Sequence, residues 1–591
     1  MSGVTRHFRR RGRIFRLIPD PTGEETPRRA TSTIAVVSSS QTPRKVLVAV
    51  AWPYAQGPLH LGHMAGAYLP ADIFARYQRA IGNDVLMVSG SDAHGTPITV
   101  RADELGVAPQ EIVDQYHPMF LGYWRDLGIS FDLFTRTDTP NHHRVAQEFF
   151  MKLLENGHLY KEKSQQYYDA EVDQFLPDRY VEGTCPHCGY ESARGDQCDN
   201  CGRTLDPTDL IDPISKRSGS APVLRETEHY NWRLSSFADQ LLAWLADKKG
   251  WRPHVINFAR GMIEDGLIDR SFTRDISWGI PLPVDDLGDG KRIYVWWEAV
   301  MGYYSASQEW AQLQGDPDAW KPWWTDPDAA SYYFIGKDNV PFHAVFWPAL
   351  LMGHGGLNLP TDVPANQHIT FKGEKASKSR GVGRQLDWYV EHFEPDALRY
   401  ALAATLPETS DSDLTEGELV RRVNDELVAA WGNLVNRVVS MTHRYFEGIV
   451  PSAEAIEPDD RALLDSVQAG IADVGSEIAA VRLKAGLSTA MSLAHAANGY
   501  LTVREPWKTA KTDLDRTGVT LAVALNAIAG IAVALAPYLP FTSPRVFATL
   551  GIGDEPHWHP AVVPAGTELG PAELLFAKIE TDMLDSADVE G

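Results

Sequence analysis

The run from Val46 to Ala51 is apolar throughout and beta-branched at alternate positions. A strand buried on both faces reads this way, as a continuous apolar run rather than an alternation. A Gly/Pro-containing loop follows, Pro53 to Pro58. The spacing then predicts a helix over Leu61–Ala80 and a second buried strand over Val85–Val88. Strand, helix and strand within about 45 residues make a βαβ unit, the seed of a parallel doubly wound sheet. A second such region is predicted from Tyr332, through a helix at Phe342–Met352, to a strand near Ile369–Phe371. Beyond Leu414 the pattern turns helical: Leu419, Val423, Leu427, Leu434 and Val438 recur at three-, four- and seven-residue steps. The fold class is therefore α/β: a Rossmann-type sheet split by a long insertion and followed by a helical bundle.

At 591 residues the chain holds several domains' worth of protein. The longest apolar stretch, Leu521 to Leu539, is broken by Asn526, Gly530 and Pro537, and is predicted to be a packed helix or helix pair rather than a membrane span. All four cysteines lie between Cys185 and Cys201, which suits a reducing, cytoplasmic setting better than a disulfide scaffold. The net charge is -23, and the first 44 residues, Arg-rich and without periodicity, read as a disordered extension of net charge +6. Residues 45–591 thus carry -29, a surface that would not grip RNA indiscriminately. Any RNA contact has to be local and specific to shape.

Two short motifs carry chemistry. His60-Leu-Gly-His63 falls where the first strand's loop enters its helix. A helix N-terminus presents unpaired N–H groups and a positive dipole end, so it attracts phosphate. Gly62 lets a flat base approach the backbone. The alternative is a pair of structural histidines or half a metal site. Lys375-Ala-Ser-Lys-Ser379 lies in a loop flanked by Gly373 and Gly381. Its lysines are either an ordinary solvated turn or a clamp on a departing pyrophosphate. Independently, Cys185-Pro-His-Cys188 and Cys198-Asp-Asn-Cys201 form two CxxC knuckles, nine residues apart. Four thiolates fill a tetrahedral zinc site and leave no open position, so a zinc here is structural; two disulfides are the alternative. His187 is read as a bystander.

The His60 and Lys375 motifs resemble the HIGH and KMSKS sequences of class I aminoacyl-tRNA synthetases, in order and in separation. Trp52-Pro-Tyr-Ala-Gln-Gly-Pro-Leu-His-Leu-Gly-His63, Ser91-Asp-Ala-His-Gly-Thr-Pro97, Val295-Trp-Trp-Glu-Ala-Val-Met-Gly-Tyr303 and Phe334-Ile-Gly-Lys-Asp-Asn-Val-Pro-Phe-His343 further resemble the methionyl-tRNA synthetases. The resemblance runs from Lys45 to the last helices. It implies activation of L-methionine with Mg2+-bound ATP, then transfer to tRNA(Met). It implies catalytic roles for His60, His63, Lys375, Lys378 and Arg274, and ATP contacts from His60, Gly62, His63, Gly336, Lys337, Asp338 and Lys378. Trp52, Tyr54, Trp296, Ala299, Tyr303 and His343 are expected to wall the methionine pocket, with Asp92 holding the α-ammonium. Asn433, Arg437 and Trp507 match the family's anticodon-reading positions. Three residues depart from the family's usual pattern: Ala376 stands for methionine, Trp52 for leucine and Val300 for proline.

The expected organisation is an extension at 1–44, the first half of the catalytic domain at 45–114, and an insertion at 115–275 with its knuckle at 183–204. The second half follows at 276–372, the lysine loop and stem-contact region at 373–413, and the anticodon-binding bundle at 414–591. No further domain follows the bundle in this reading, and a monomer is expected.

Overall fold

The computed structural model describes residues 43–176, 180–195, 198, 200–201, 203, 205–371, 383–553 and 556–580, with 374–375 as backbone. The extension expected at the N-terminus lies outside these residues, apart from Pro43 and Arg44.

Five parallel strands form the central sheet: β1 (Lys45–Val50), β2 (Asp84–Ser91), β3 (Leu133–Arg136), β4 (Ala330–Gly336) and β5 (Ala365–Asn366), in the order β5-β4-β1-β2-β3. The alternation of side chains along a strand divides the core in two. Val46, Val48, Val50, Val85 and Met87 feed one apolar cluster, while Leu47, Ala49, Leu86 and Val88 feed another. That is why the β1 sequence shows no polar face.

On the first face lies the helix predicted from Leu61. It runs as Leu61–His63, Met64–Tyr68 and Leu69–Ala80, and Phe74 packs on Tyr332 and Phe334. Its middle segment widens to i→i+5 bonding, with the Leu69 N–H donating to the Met64 carbonyl. On the second face lie Val295–Leu313 and the helix entered at Phe342.

Two boundaries move. The first half of the sheet, expected to end at 114, runs on to β3, whose residues pair in parallel with β2 from Val88↔Leu133 to Ser91↔Arg136. The helix Pro140–Glu155 that follows packs into the second core. β3 is only four residues long, too short to leave a hydrophobic pattern. The second βαβ region closes at β5, whereas Ile369–Phe371 pairs instead with Glu374–Lys375 and Ser412–Asp413 in a separate small sheet.

The insertion is a long antiparallel ribbon, Leu159–Asp169 against Val223–Trp232, carrying the cysteines between its strands. The bundle packs on the first face of the sheet within the same core as Phe74. Its helix Leu514–Leu535 is long and apolar enough to cross a membrane by composition, yet 94% of its most apolar window is buried among its neighbours. After Thr542–Thr549 the chain, expected to be helical to its end, is an extended strap over 556–580. Asn526 and Asn424 clip it through their side-chain amides, at Val563 and Ile579 respectively.

Candidate active site

In a doubly wound sheet the ligand crevice opens at the carboxyl ends of the strands, where the order of winding reverses. Here β1 is that point: the chain winds outward through β2 and β3 on one side, and through β4 and β5 on the other. The expected site residues cluster at these ends. Trp52 and Tyr54 follow β1, Asp92 follows β2, and Gly336, Lys337 and Asp338 close β4.

His60 is the N-cap of its helix. Its Nδ1 accepts from the Gly62 N–H at 3.1 Å, while the His60 N–H donates to His63 Nδ1 at 3.2 Å. The rings lie 3.9 Å apart. This reciprocal cap fixes both imidazoles at the positive end of the helix. Gly62 meets a nearer constraint than a base: a Cβ there would stand 2.9 Å from the His60 ring.

The chain that follows the lysine loop returns to the same place. Gln385 forms an antiparallel bridge with His60, and the Leu386 N–H donates to the Leu59 carbonyl at 2.8 Å. The loop's entrance leaves from Thr370–Phe371, paired with Glu374–Lys375. The small sheet holding that entrance is tied to the end of β4 by Lys337–Asp411 at 2.8 Å and His368–Asp338 at 3.0 Å. The side chain of Lys375 and all of Lys378 lie outside the described residues.

The aromatic residues form two groups, which the helix Val295–Leu313 joins. Tyr54 meets Trp296 edge-on at 6.2 Å, Trp296 stacks on Phe342 at 3.9 Å, and Trp52 meets Tyr303 at 6.3 Å. Trp296, Ala299 and Tyr303 share one face of Val295–Leu313, at steps of three and four. Tyr303 Oη lies 2.7 Å from His343 Nε2, and His343 Nδ1 lies 2.9 Å from the Asn339 carbonyl. The carbonyl claims the ring proton, so Nε2 accepts from the tyrosine. Burial holds the His343 imidazole down at about 4, hence neutral. Trp52 occupies a slot between two glycines: a Cβ on Gly90 would come within 2.1 Å of its ring, and one on Gly302 within 2.6 Å. Its Nε1 is buried without a hydrogen-bond partner among the described residues.

Asp92 is 3% exposed. Backbone bonds to Pro53 and Ala55 hold it beside Tyr54, and its Oδ1 accepts the N–H groups of His94 and Gly95 at 3.0 and 3.2 Å. It thus closes the turn that leads into the helix Thr96–Leu105. Burial first, then the nearby Glu298 charge, push its carboxyl up to about 8.

Arg274 lies on the short hairpin Thr273–Asp275 with Lys291–Ile293, its guanidinium 3.9 Å over the Tyr294 ring at the start of the Trp296 helix. In the bundle, Asn433 and Arg437 are exposed on the helix Asn433–Phe446, and Asn498 Oδ1 accepts from Arg437 at 3.2 Å. Trp507, on a separate short turn, is 38% exposed.

The four cysteine sulfurs lie within 4.8 Å of one another, with Cys185–Cys201 at 4.0 Å and Cys188–Cys198 at 3.6 Å. A disulfide needs about 2.05 Å. Four thiolates around a zinc at about 2.3 Å stand roughly 3.8 Å apart. The group therefore has the spacing to hold a metal ion.

Sequence reasoning passed over Phe342, Gly90, Gly302 and Glu298. The last had a signal: a carboxylate inside the otherwise apolar run Val295–Tyr303.

Comparisons with known proteins agree with this geometry. Residues 46–439 match a family model described as tRNA synthetases class I (M), and residues 450–588 match the anticodon binding domain of methionyl tRNA ligase. A methionine–tRNA ligase of Roseiflexus sp. (strain RS-1) is 52% identical over 86% of this chain and 87% of its own length. One from Thermomicrobium roseum is 48% identical over 92% and 98%. Among solved structures, Mycobacterium tuberculosis methionyl-tRNA synthetase in complex with methionyl-adenylate superposes with a TM-score of 0.75 and 26% identity, covering 91% of this chain and all of that one.

Proposed function

The chain belongs to the methionine–tRNA ligases of class I, and from that premise we propose how its own residues divide the reaction. The methionine carboxylate attacks the α-phosphorus of ATP in line, and the terminal adenosine of tRNA(Met) then takes the methionyl group from the adenylate. Trp52, Tyr54, Trp296, Ala299, Tyr303 and His343 enclose the side chain, and Asp92 pairs with the α-ammonium. A thioether is apolar and polarisable, so aromatic rings and a neutral imidazole suit it. His60 and His63 orient the phosphates at the helix end, beside Gly62. Lys375 and Lys378 neutralise the departing pyrophosphate, while Gly336, Lys337 and Asp338 border the nucleotide. Positioning and charge neutralisation suffice, and neither histidine need transfer a proton. Arg274 acts from the base of the Trp296 helix on the phosphate side.

The observation that carries this reading is the bridge between His60 and Gln385. It ties Gln385, which follows the lysine loop in sequence, to the residue that caps the phosphate-facing helix.

ATP enters with Mg2+, which screens the phosphate charge. A zinc ion held by Cys185, Cys188, Cys198 and Cys201 would cross-link the knuckle and serve structure alone, since four thiolates leave no place for substrate. In the bundle, Asn433 and Arg437 read anticodon bases and Trp507 stacks on one. We read the enzyme as cytoplasmic, in keeping with cysteines spaced for a metal rather than for disulfides. We read it also as a monomer, since one chain supplies every site residue.

Amino-acid-dependent pyrophosphate exchange, run across all twenty amino acids, tests the assignment. Methionine alone should support it. Exchange with another amino acid would overturn the pocket assignment, and no exchange with retained tRNA binding would overturn the catalytic one.

A further inference from the structure

A group of buried charges stands behind the pocket, and the reaction as described gives it no task. Glu298 is wholly buried on the helix Val295–Leu313. Its Oε1 lies 2.9 Å from His94 Nδ1, and its Oε2 lies 2.6 Å from His142 Nε2. The other nitrogen of His142 lies 2.7 Å from Ser305 Oγ, whose own proton goes to the Gly302 carbonyl at 3.0 Å. Ser305 thus ties the far side of the His142 ring to the same helix. His94 belongs to the turn that carries Asp92, since its N–H is one of the two that Asp92 Oδ1 accepts. None of these five side chains belongs to a residue more than 4% exposed.

A buried ion pair is seldom the most stable filling for its space; apolar residues of similar volume usually do as well or better. Here the charges run unbroken from the helix that bears Trp296 and Tyr303 to the turn that bears Asp92. We propose that Glu298 is a positioning residue for the amino acid: through His94 it holds the Asp92–Gly95 turn, and it sets the charge that Asp92 presents to the incoming ammonium group. The proposal rests on the reading of Asp92 as that group's partner.

The surroundings of the pair bear on its charge from every side. Glu298 and Glu309 come from Val295–Leu313, His142 and His143 from Pro140–Glu155, and Asp138 from the loop after β3. His117, from Pro109–Asp126, bonds Ser91 at 2.9 Å, next to Asp92. Burial opposes ionisation of Glu298, but His94 and His142 outweigh it and hold that carboxyl at about 2. Burial likewise opposes the charged form of His94, and Glu298 reverses this and raises it. For Asp92, burial and the Glu298 charge outweigh His94 and the two backbone N–H groups, and its carboxyl is raised to about 8. In the empty site burial and Glu298 thus favour the neutral form of Asp92, and an arriving ammonium group favours the carboxylate, whose proton leaves to solvent.

Titration calorimetry of the full chain with L-methionine, from pH 6 to 9 in buffers of different ionisation enthalpy, tests this. The wild type should release close to one proton per methionine near pH 7, fading above pH 8. Its Kd should tighten by up to about tenfold per pH unit below 8, as for any ligand that needs one ionised group. Glu298→Gln removes the repelling charge, so the midpoint should move to lower pH. His142→Asn leaves Glu298 less compensated, so the midpoint should move up. Opposite shifts support the proposal; shifts of one sign, no shift, or a pH-independent loss of affinity overturn it. If neither variant folds, the wild-type proton release decides, and its absence overturns the proposal. Asp92→Asn separates the two layers: should it bind methionine as tightly as the wild type, the pairing of Asp92 with the ammonium has failed, and the inference about Glu298 with it. Loss of binding in Asp92→Asn beside unmoved profiles in the other two overturns the role of Glu298 alone.

Discussion

Trp52 fills the space that Gly90 and Gly302 leave, and the three residues make sense only together. Where the family commonly has leucine, this chain carries a larger ring, and any side chain on either glycine would collide with it. Gly302→Ala should therefore drive the indole toward the methionine site. Overpacking of this kind costs about 1–3 kcal/mol. In pyrophosphate exchange we expect KM for methionine to rise by roughly tenfold, the lower half of that cost in binding terms, with KM for ATP unchanged. A rise shared equally by both substrates would place the ring elsewhere. At this scale the sequence was partly legible. It named Trp52, Tyr54, Trp296, Tyr303 and His343 through resemblance, and the structure sets Tyr54 against Trp296, and Trp52 and His343 against Tyr303. Gly90 and Gly302 were invisible, because a glycine announces a turn more readily than a slot for a distant ring. Glu298 was visible only as an oddity, because its partners His94 and His142 lie 204 and 156 residues away in sequence.

Among the elements, the helix Pro395–Ala404 does most to join sheet and bundle. Arg399 is 1% exposed; it pairs with Asp72 of the Leu69–Ala80 helix at 2.7 Å and donates to the carbonyls of Leu127, Pro537 and Tyr538. Asp396, one turn earlier, accepts the N–H groups of Phe541 and Thr542. Removing one partner of a buried pair costs about 3–5 kcal/mol, so Arg399→Ala should lower the urea midpoint strongly, and more than Arg399→Met with Asp72→Asn beside it. Burial resists ionisation of Asp72, but Arg76 and Arg399 prevail and hold it at about 2. Its folded value lies below the unfolded one, so its contribution to stability is complete above about pH 4 and is lost as the pH falls toward 2. Denaturant midpoints measured across pH 5 to 2 should fall less steeply in Asp72→Asn than in the wild type. The strands β1 and β2 and the helix from Leu61 were readable because burial on both faces and helical periodicity leave patterns over many residues. β3 and β5, with four residues and two, leave none, and so the boundary at 114 falls short of β3, and the strand at Ile369–Phe371, correctly read as a strand, was placed in the wrong sheet.

For the molecule as a whole, the three candidate sites are carried on separate supports: a cleft on the sheet, a knuckle on the insertion ribbon and an exposed face on the bundle. If the cysteine group is a structural zinc site, dialysis against a strong chelator should remove one zinc per chain and raise hydrogen exchange around 183–204. Methionine-dependent exchange without tRNA should persist. Loss of exchange in step with the metal would give the ion a catalytic part that four thiolates do not leave room for. In the proposed mechanism the lysine loop and the His60 helix act on one ATP. Single-turnover adenylate formation by Lys378→Ala, set beside its methionine Kd, tests it most directly. Loss of a group that stabilises developing charge costs on the order of 100- to 1,000-fold in rate. We predict a fall of that size with the Kd unchanged within a factor of about three, whereas equal losses in rate and affinity would contradict the account.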